Sequence, residues 1–257
     1  MPSINMMCPR PRGLLLTGLF CLALTGCAAR SVPEVHGPQY FYDKGQTALD
    51  KKRYMEAVEN FQRLVSNFPG SALVSDAQYF LAESYFGMED FVNAVFEYQR
   101  LTDTYPTSQW ADESAFAIGE SYYQQRRRPE LDQAETYEAL TAYRRFVEDH
   151  RDSPMVTTAE QRIIDCRERL AHKEFLSAGL YHRQGHLDAA RMGYDQLMLT
   201  FPDTDWYWQG LAQLGVLELA EGGGEAARLH WQQVLDNAQD EELRSQVQKW
   251  LADLTTP

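Results

Sequence analysis

The strongest constraint in this chain is a set of residue types that returns every 37 positions. Gly45, Tyr54, Ala57, Phe61 and Pro69 are followed, 37 residues later, by Ala82, Phe91, Ala94, Tyr98 and Pro106. The set reads as a pair of short antiparallel helices. Small residues at Gly45 and Ala57 let two backbones approach, Tyr54 and Phe61 fill the wedge between them, and Pro69, which lacks an N–H, ends the second helix. A third copy begins with Gly119 and Tyr122 and resumes at Ala142, Phe146 and Pro154. Its halves stand 23 residues apart where those of the first copy stand 12, so an insert of 11 residues is expected around Gln124 to Thr136. A fourth copy has Ala178, Tyr181, Leu187, Ala190, Tyr194 and Pro202; a fifth has Gly215, Ala227 and Trp231, with Gln239 in the proline position.

These offsets match the tetratricopeptide (TPR) pattern, and five copies in phase predict an all-α fold: a solenoid of about five helix-turn-helix repeats. The degenerate fifth copy suits the end of an array, where a unit has no successor to cover. Repeats one to three occupy residues 38–154. Residues 155–257 follow with repeats four and five; Met155 to Leu170 keeps helical spacing in Ile163, Cys166 and Leu170 and lengthens the first helix of repeat four into a connecting helix. The tail places Leu243, Val247, Trp250, Leu251 and Leu254 on one helical face, as a capping helix requires. At 257 residues and 44% hydrophobic, the chain can bury a continuous core.

The first 26 residues stand apart. Arg10 and Arg12 precede an apolar run from Leu14 to Leu24, too short to span a bilayer, and Leu24-Thr25-Gly26-Cys27 closes it. This resembles the lipobox of bacterial lipoproteins, which implies that residues 1–26 are a signal peptide and that Cys27 becomes an acylated N-terminus carrying S-diacylglycerol and an N-acyl chain such as palmitate. Each buried methylene contributes roughly 0.8 kcal/mol, so several chains make attachment effectively permanent. Ala28 and Ala29 follow the cysteine; no aspartate stands there to retain the chain in the inner membrane, which implies the outer membrane, periplasmic face. Residues 27–37, with Pro33 and Gly37, read as a tether.

Little in the chain reads as catalytic chemistry. Cys8 and Cys21 leave with the signal and Cys27 is lipidated; Cys166 alone remains, within an apolar pattern, as a core residue. Losing the signal removes Arg10 and Arg12 and no acid, moving the formal charge from −13 to −15, a poor match for nucleic acid or anionic lipid. Arg126-Arg127-Arg128 is the basic exception and reads as a solvated loop. His182 and His186 are split by a turn at Gly185, and the glycines at 222–224 fall at an inter-helix turn. No metal, cofactor or catalytic residue is expected.

In repeat four, Arg162, Leu170, Ala171, Glu174, Tyr181, Arg183, Gly185, Ala189 and Ala190 resemble the BamD family of outer-membrane assembly lipoproteins. The likeness extends to the lipobox, the five repeats, the insert in the third and the long helix before the fourth; Cys166, Gly179 and Trp206-Tyr207-Trp208 depart from it. The resemblance implies a non-catalytic member of the β-barrel assembly (BAM) machinery. Repeats one to three would receive unfolded outer-membrane proteins, repeats four and five would hold the BamA-like barrel insertase, and other assembly lipoproteins would bind beside it. Two other readings fit the repeats: a pilotin-like TPR lipoprotein for secretin or type IV pilus assembly, and a periplasmic TPR adaptor, for instance of a peptidoglycan enzyme.

Register predicts the binding face. The signature residues face the core, so the residue after the first aromatic position, and those four and seven further on, line the concave groove. Tyr42, Tyr79 and Phe116 form one row, Gln46, Glu83 and Glu120 a second, Leu49, Phe86 and Tyr123 a third. A peptide ending in an aromatic residue could set its ring among them, with Glu83 and Glu120 accepting its donors. On this reading Tyr79→Ala with Phe116→Ala weakens binding by about 1–4 kcal/mol with little loss of helicity.

Overall fold

In a computed structural model that describes residues 36–255, each expected repeat is a helix pair. Repeat one is α1 (Pro38–Asp50) and α2 (Tyr54–Asn67); repeat two is α3 (Val74–Gly87) and α4 (Phe91–Thr104); repeat three is α5 (Ala111–Gln124) and α6 (Ala134–Asp149). Repeat four is α7 (Val156–Arg183) and α8 (Leu187–Thr200), repeat five is α9 (Asp205–Ala220) and α10 (Gly224–Asn237), and α11 (Glu241–Thr255) closes the array. This is an all-α TPR solenoid. The signal segment, Cys27 and the tether up to residue 35 lie outside the described residues.

Each pair is held by the wedge that the period announces. Ala57 and Phe61, Ala94 and Tyr98, Ala190 and Tyr194, and Ala227 and Trp231 are all buried. A Cβ on Gly45, Gly119 or Gly215 would stand within 3 Å of the ring of Phe61, Tyr143 or Trp231, so the ring occupies the space that glycine leaves. Each such fully buried ring contributes on the order of 1.5–3 kcal/mol. The turns between paired helices need a left-handed residue, supplied by Lys52 (φ 55°), Glu89 (φ 60°), Gly185 (φ 78°) and Gly222 (φ 86°), all at one frame position. Among the glycines at 222–224, only Gly222 needs glycine for its backbone angle.

The third repeat departs from the expected frame. Gly119 faces Tyr143, not Phe146, and the buried alanine is Ala139, not Ala142. Since Gly119 and Tyr143 stand 24 apart where Gly45 and Phe61 stand 16, the insert is 8 residues, not 11. It occupies the loop 125–133, and Thr136 already lies buried inside α6. The helix end agrees: His150 (φ −123°, ψ 50°) takes the C-cap conformation of Phe68 (φ −131°, ψ 54°) and Phe201 (φ −129°, ψ 53°). The Ser153 N–H donates to the His150 carbonyl at 3.0 Å, as that of Ser71 does to Phe68 at 2.9 Å. Arg151 therefore stands where repeats one, two and four have proline, and Pro154 lies beyond it. The physical reason is the helical period: Ala142 and Phe146 lie about one turn past Ala139 and Tyr143 on much the same face, so the residue types recur there.

α7 is the connecting helix that the spacing predicts. Its 28 residues are twice the 14 of α3 or α5, and it packs against α6, α8 and α9. Ala159, Cys166, Leu170 and Ala171 bury into one core with Tyr143, Phe146, Tyr194 and Leu197, so residues 38–154 and 155–257 share a core across α7. Cys166 is fully buried and its thiol is pushed up to about 11 by that burial. At the far end Leu243 and Val247 of α11 are buried against α10, and Trp250 stands 5.5 Å from Trp231.

Candidate peptide-binding face

The three predicted rows lie on α1, α3 and α5, the first helices of consecutive repeats. Structurally they divide differently from the sequence register. In the first row every ring is wedged between helices: Tyr42 meets Phe61 and Phe80 edge-on at 6.1 Å each, Tyr79 stacks on Trp110 at 4.3 Å, and Phe116 packs 5.7 Å from Tyr143 and 5.5 Å from Phe146. Burial first, then the Glu83 charge, pushes the Tyr79 phenol well above its ordinary value. None of the three is exposed. Replacing Tyr79 and Phe116 together would remove packing as well as any ligand contact, so a loss of binding in that double variant would not by itself assign the rings to a ligand.

The second row has an internal role that the sequence reading missed. Glu83 accepts from the Tyr98 hydroxyl at 2.5 Å, and Glu120 from the Tyr143 hydroxyl at 2.6 Å and Arg162 Nε at 2.7 Å. Two repeats thus have a tyrosine at the wedge position with a glutamate one residue after the small one. Repeat one has Phe61 there, with no hydroxyl to satisfy, and its row residue is Gln46. Repeat four, with Tyr194 at the wedge and Gly179 in the row position, lacks the pair.

In the third row Tyr123 is buried between two guanidinium groups, Arg126 at 3.4 Å and Arg162 at 4.2 Å from its ring centre, and its hydroxyl donates to Asp165 at 3.0 Å. Burial and that hydrogen bond raise its pKa. Tyr123 is therefore part of the α5–α7 seam. So is the basic run: Arg126 lies half-buried on Tyr123, while the Arg127 carbonyl accepts from Arg169 at 2.6 Å and that of Arg128 from Gln133 at 2.8 Å. Only the side chains of Arg127 and Arg128 are exposed, which corrects the reading of all three as a solvated loop.

What stays open is the end of the face near the turns. Leu49, Glu83 and Phe86 line a depression of about 550 Å³ together with Tyr54, Phe91 and Lys52. Apolar walls, the three carboxylates of Asp50, Glu83 and Glu89 and one ammonium suit a peptide carrying an apolar or aromatic side chain and main-chain donors. The remaining motifs settle elsewhere. Trp206 stacks on His172 at 3.9 Å in the central core, whereas Tyr207 and Trp208 pack into the C-terminal one. His182 closes α7 and His186 caps α8, on either side of the Gly185 turn.

The family model for YfiO, described as outer membrane lipoprotein, matches residues 36–228. The outer membrane protein assembly factor BamD of Vibrio cholerae serotype O1 is 27% identical over 203 residues, 74% of this chain and 84% of that protein. Among solved structures, the TPR domain of P58(IPK) aligns with a TM-score of 0.43 at 14% identity, over 86% of this chain and 67% of that one. A thermophilic TPR protein of Thermus thermophilus, TTC0263, aligns with a TM-score of 0.37 at 19% identity, over 84% and 100%.

Proposed function

Because this chain belongs to the YfiO family of outer membrane lipoproteins, we propose that it is a non-catalytic scaffold in the assembly of β-barrel proteins into the outer membrane, as its relative's name describes for BamD. The observation that carries this is the extent of the family match, residues 36–228, from the start of α1 into α10. Repeats one to three receive an extended segment of an unfolded outer-membrane protein, and repeats four and five hold the barrel insertase. Support for the first assignment is the open depression at Leu49, Glu83 and Phe86, which offers apolar and polar contacts side by side.

Attachment is through acyl chains on Cys27. Among the described residues no helix is long and apolar enough to cross a membrane. Cys27→Ser should shift the protein into the soluble periplasmic fraction; retention in the membrane would refute the anchor. The function is tested by affinity capture of the tagged, full-length protein from detergent-solubilised outer membranes. Co-purification of a barrel insertase is the expected result. A secretin in its place would assign the chain to pilus or secretion assembly.

A further inference from the structure

A second groove lies on the opposite side of α5 from Phe116, Glu120 and Tyr123. It runs between α4 and α6 and encloses about 460 Å³. Comparison with repeat two shows that its opening is written into the sequence. Four residues before the small position and one before the wedge ring, repeat two has Gln78 and Glu97, both buried. The Gln78 amide donates to the Glu97 carboxylate at 2.6 Å and to its carbonyl at 3.0 Å, bridging α3 to α4. At the same two positions repeat three has Ala115 and Ala142, and both line the groove. Leu81, fully buried in repeat two, is matched by Ile118, which stays partly open here.

We infer that the α4–α6 groove docks a short extended segment of a partner protein with apolar side chains between two cations. The floor, with Ala115, Ile118 and Phe146, takes the apolar part. Charge fixes the ends. Asp103 on α4 and Glu138 on α6 are exposed and, among the described residues, in no ion pair, whereas the groove's cation Arg145 is taken by Asp149 at 3.3 Å. Asp103 also sits in the last turn of α4, where the helix dipole is already negative and no basic residue offsets it, so a cation there is doubly favoured. In the common frame Glu138 corresponds to Asn93, ten residues before Asp103, which is about 15 Å along a helix. The two carboxylates stand on different helices, so this axial offset is a lower bound on their separation, and an extended segment needs at least about four to five residues to reach from one to the other.

The probe is a fluorescein-labelled peptide, acetyl-Lys-Leu-Ala-Leu-Ala-Lys-amide, with a glutamate-for-lysine counterpart and a scrambled control, titrated onto the full-length protein by fluorescence anisotropy. Ala115→Gln with Ala142→Glu restores the pair of repeat two; it should weaken binding at least about tenfold without lowering the unfolding midpoint. Asp103→Asn with Glu138→Gln, both at exposed sites, should weaken it several-fold and flatten its salt dependence, and this variant decides the matter should the filled one fail to fold. Phe86→Ala, on the concave face, should leave it unchanged, which separates this site from the one proposed above. The inference is overturned by failure of the wild type to bind the lysine peptide, by equal binding of the glutamate peptide, or by undiminished binding to the filled or neutralised variant. It is also overturned if sedimentation shows a dimer that filling the groove dissolves, since the occupant is then a second copy.

Discussion

At the scale of single residues, the two tyrosine–glutamate pairs give the fold a signature at high pH. Burial, with the neighbouring Glu83 or Glu120 behind it, pushes Tyr98 and Tyr143 well above the ordinary value of 10. The unfolded chain releases these protons near pH 10 while the folded chain keeps them, so their contribution is complete below that pH and is lost as the pH climbs toward the folded-state value. Urea unfolding of Tyr98→Phe with Tyr143→Phe between pH 8 and 11 should show a flatter alkaline decline than wild type; parallel curves would remove the pairs from the explanation. Cys166 gives a second test. A buried thiol raised to about 11 should react with 5,5′-dithiobis(2-nitrobenzoate) only on unfolding, so labelling in native buffer at the rate of a free thiol would show the core opening locally. The wedge positions could be read from sequence because steric pairing recurs with a fixed period. The partners of Glu83 and Glu120 could not, because register says which way a side chain leaves its own helix and not what the neighbouring helix puts opposite it.

At the scale of elements, the insert shows where periodicity misleads. Its existence follows from the interrupted spacing, but its length was overstated by three residues, since Phe146 one turn past Tyr143 is also buried. Its packing was invisible for a different reason: the contacts are made by main-chain carbonyls, which carry no residue-type signal. Gln133 organises the loop, its buried amide donating to the carbonyls of Arg128 at 2.8 Å and Leu131 at 3.2 Å and accepting from Thr136 at 2.9 Å. Gln133→Ala should cost about 1–3 kcal/mol, the usual penalty for stranding buried polar groups, and should speed tryptic cleavage after Arg126 and Arg127, Arg128 being shielded by Pro129, while the rest of the chain stays helical. Cleavage at the wild-type rate would mean that the loop is held by Arg169 and by Lys173, which bonds the Glu130 carbonyl at 3.0 Å. In the turns, Lys52→Gly should stabilise by up to about 1 kcal/mol and Gly222→Ala should destabilise by about 1–2 kcal/mol, measured by thermal unfolding, because the left-handed backbone angle disfavours a side chain.

At the scale of the whole molecule, stability and peptide binding come apart along the concave face. Tyr79→Ala with Phe116→Ala should lower the unfolding midpoint, since the stack on Trp110 and the contacts with Tyr143 and Phe146 go with the rings. Phe86→Ala, at the edge of the open depression, should weaken peptide binding by about 1–4 kcal/mol, and because the ring also packs against Phe91 at 5.3 Å the comparison is made at a temperature where the variant is fully folded. The long α7 was legible because apolar spacing persists from Ile163 through Leu170; that it buries into a core shared with both flanking pairs was not. Leu170→Pro, near its middle, should cost about 3 kcal/mol or more and make the two groups of repeats unfold in separate transitions. That expectation exposes what a double-length helix does for a solenoid. Where neighbouring repeats meet through a loop, each can settle into its own orientation; here the two groups are keyed to one shaft. One group cannot turn against the other unless α7 bends or leaves the core it shares with α6, α8 and α9.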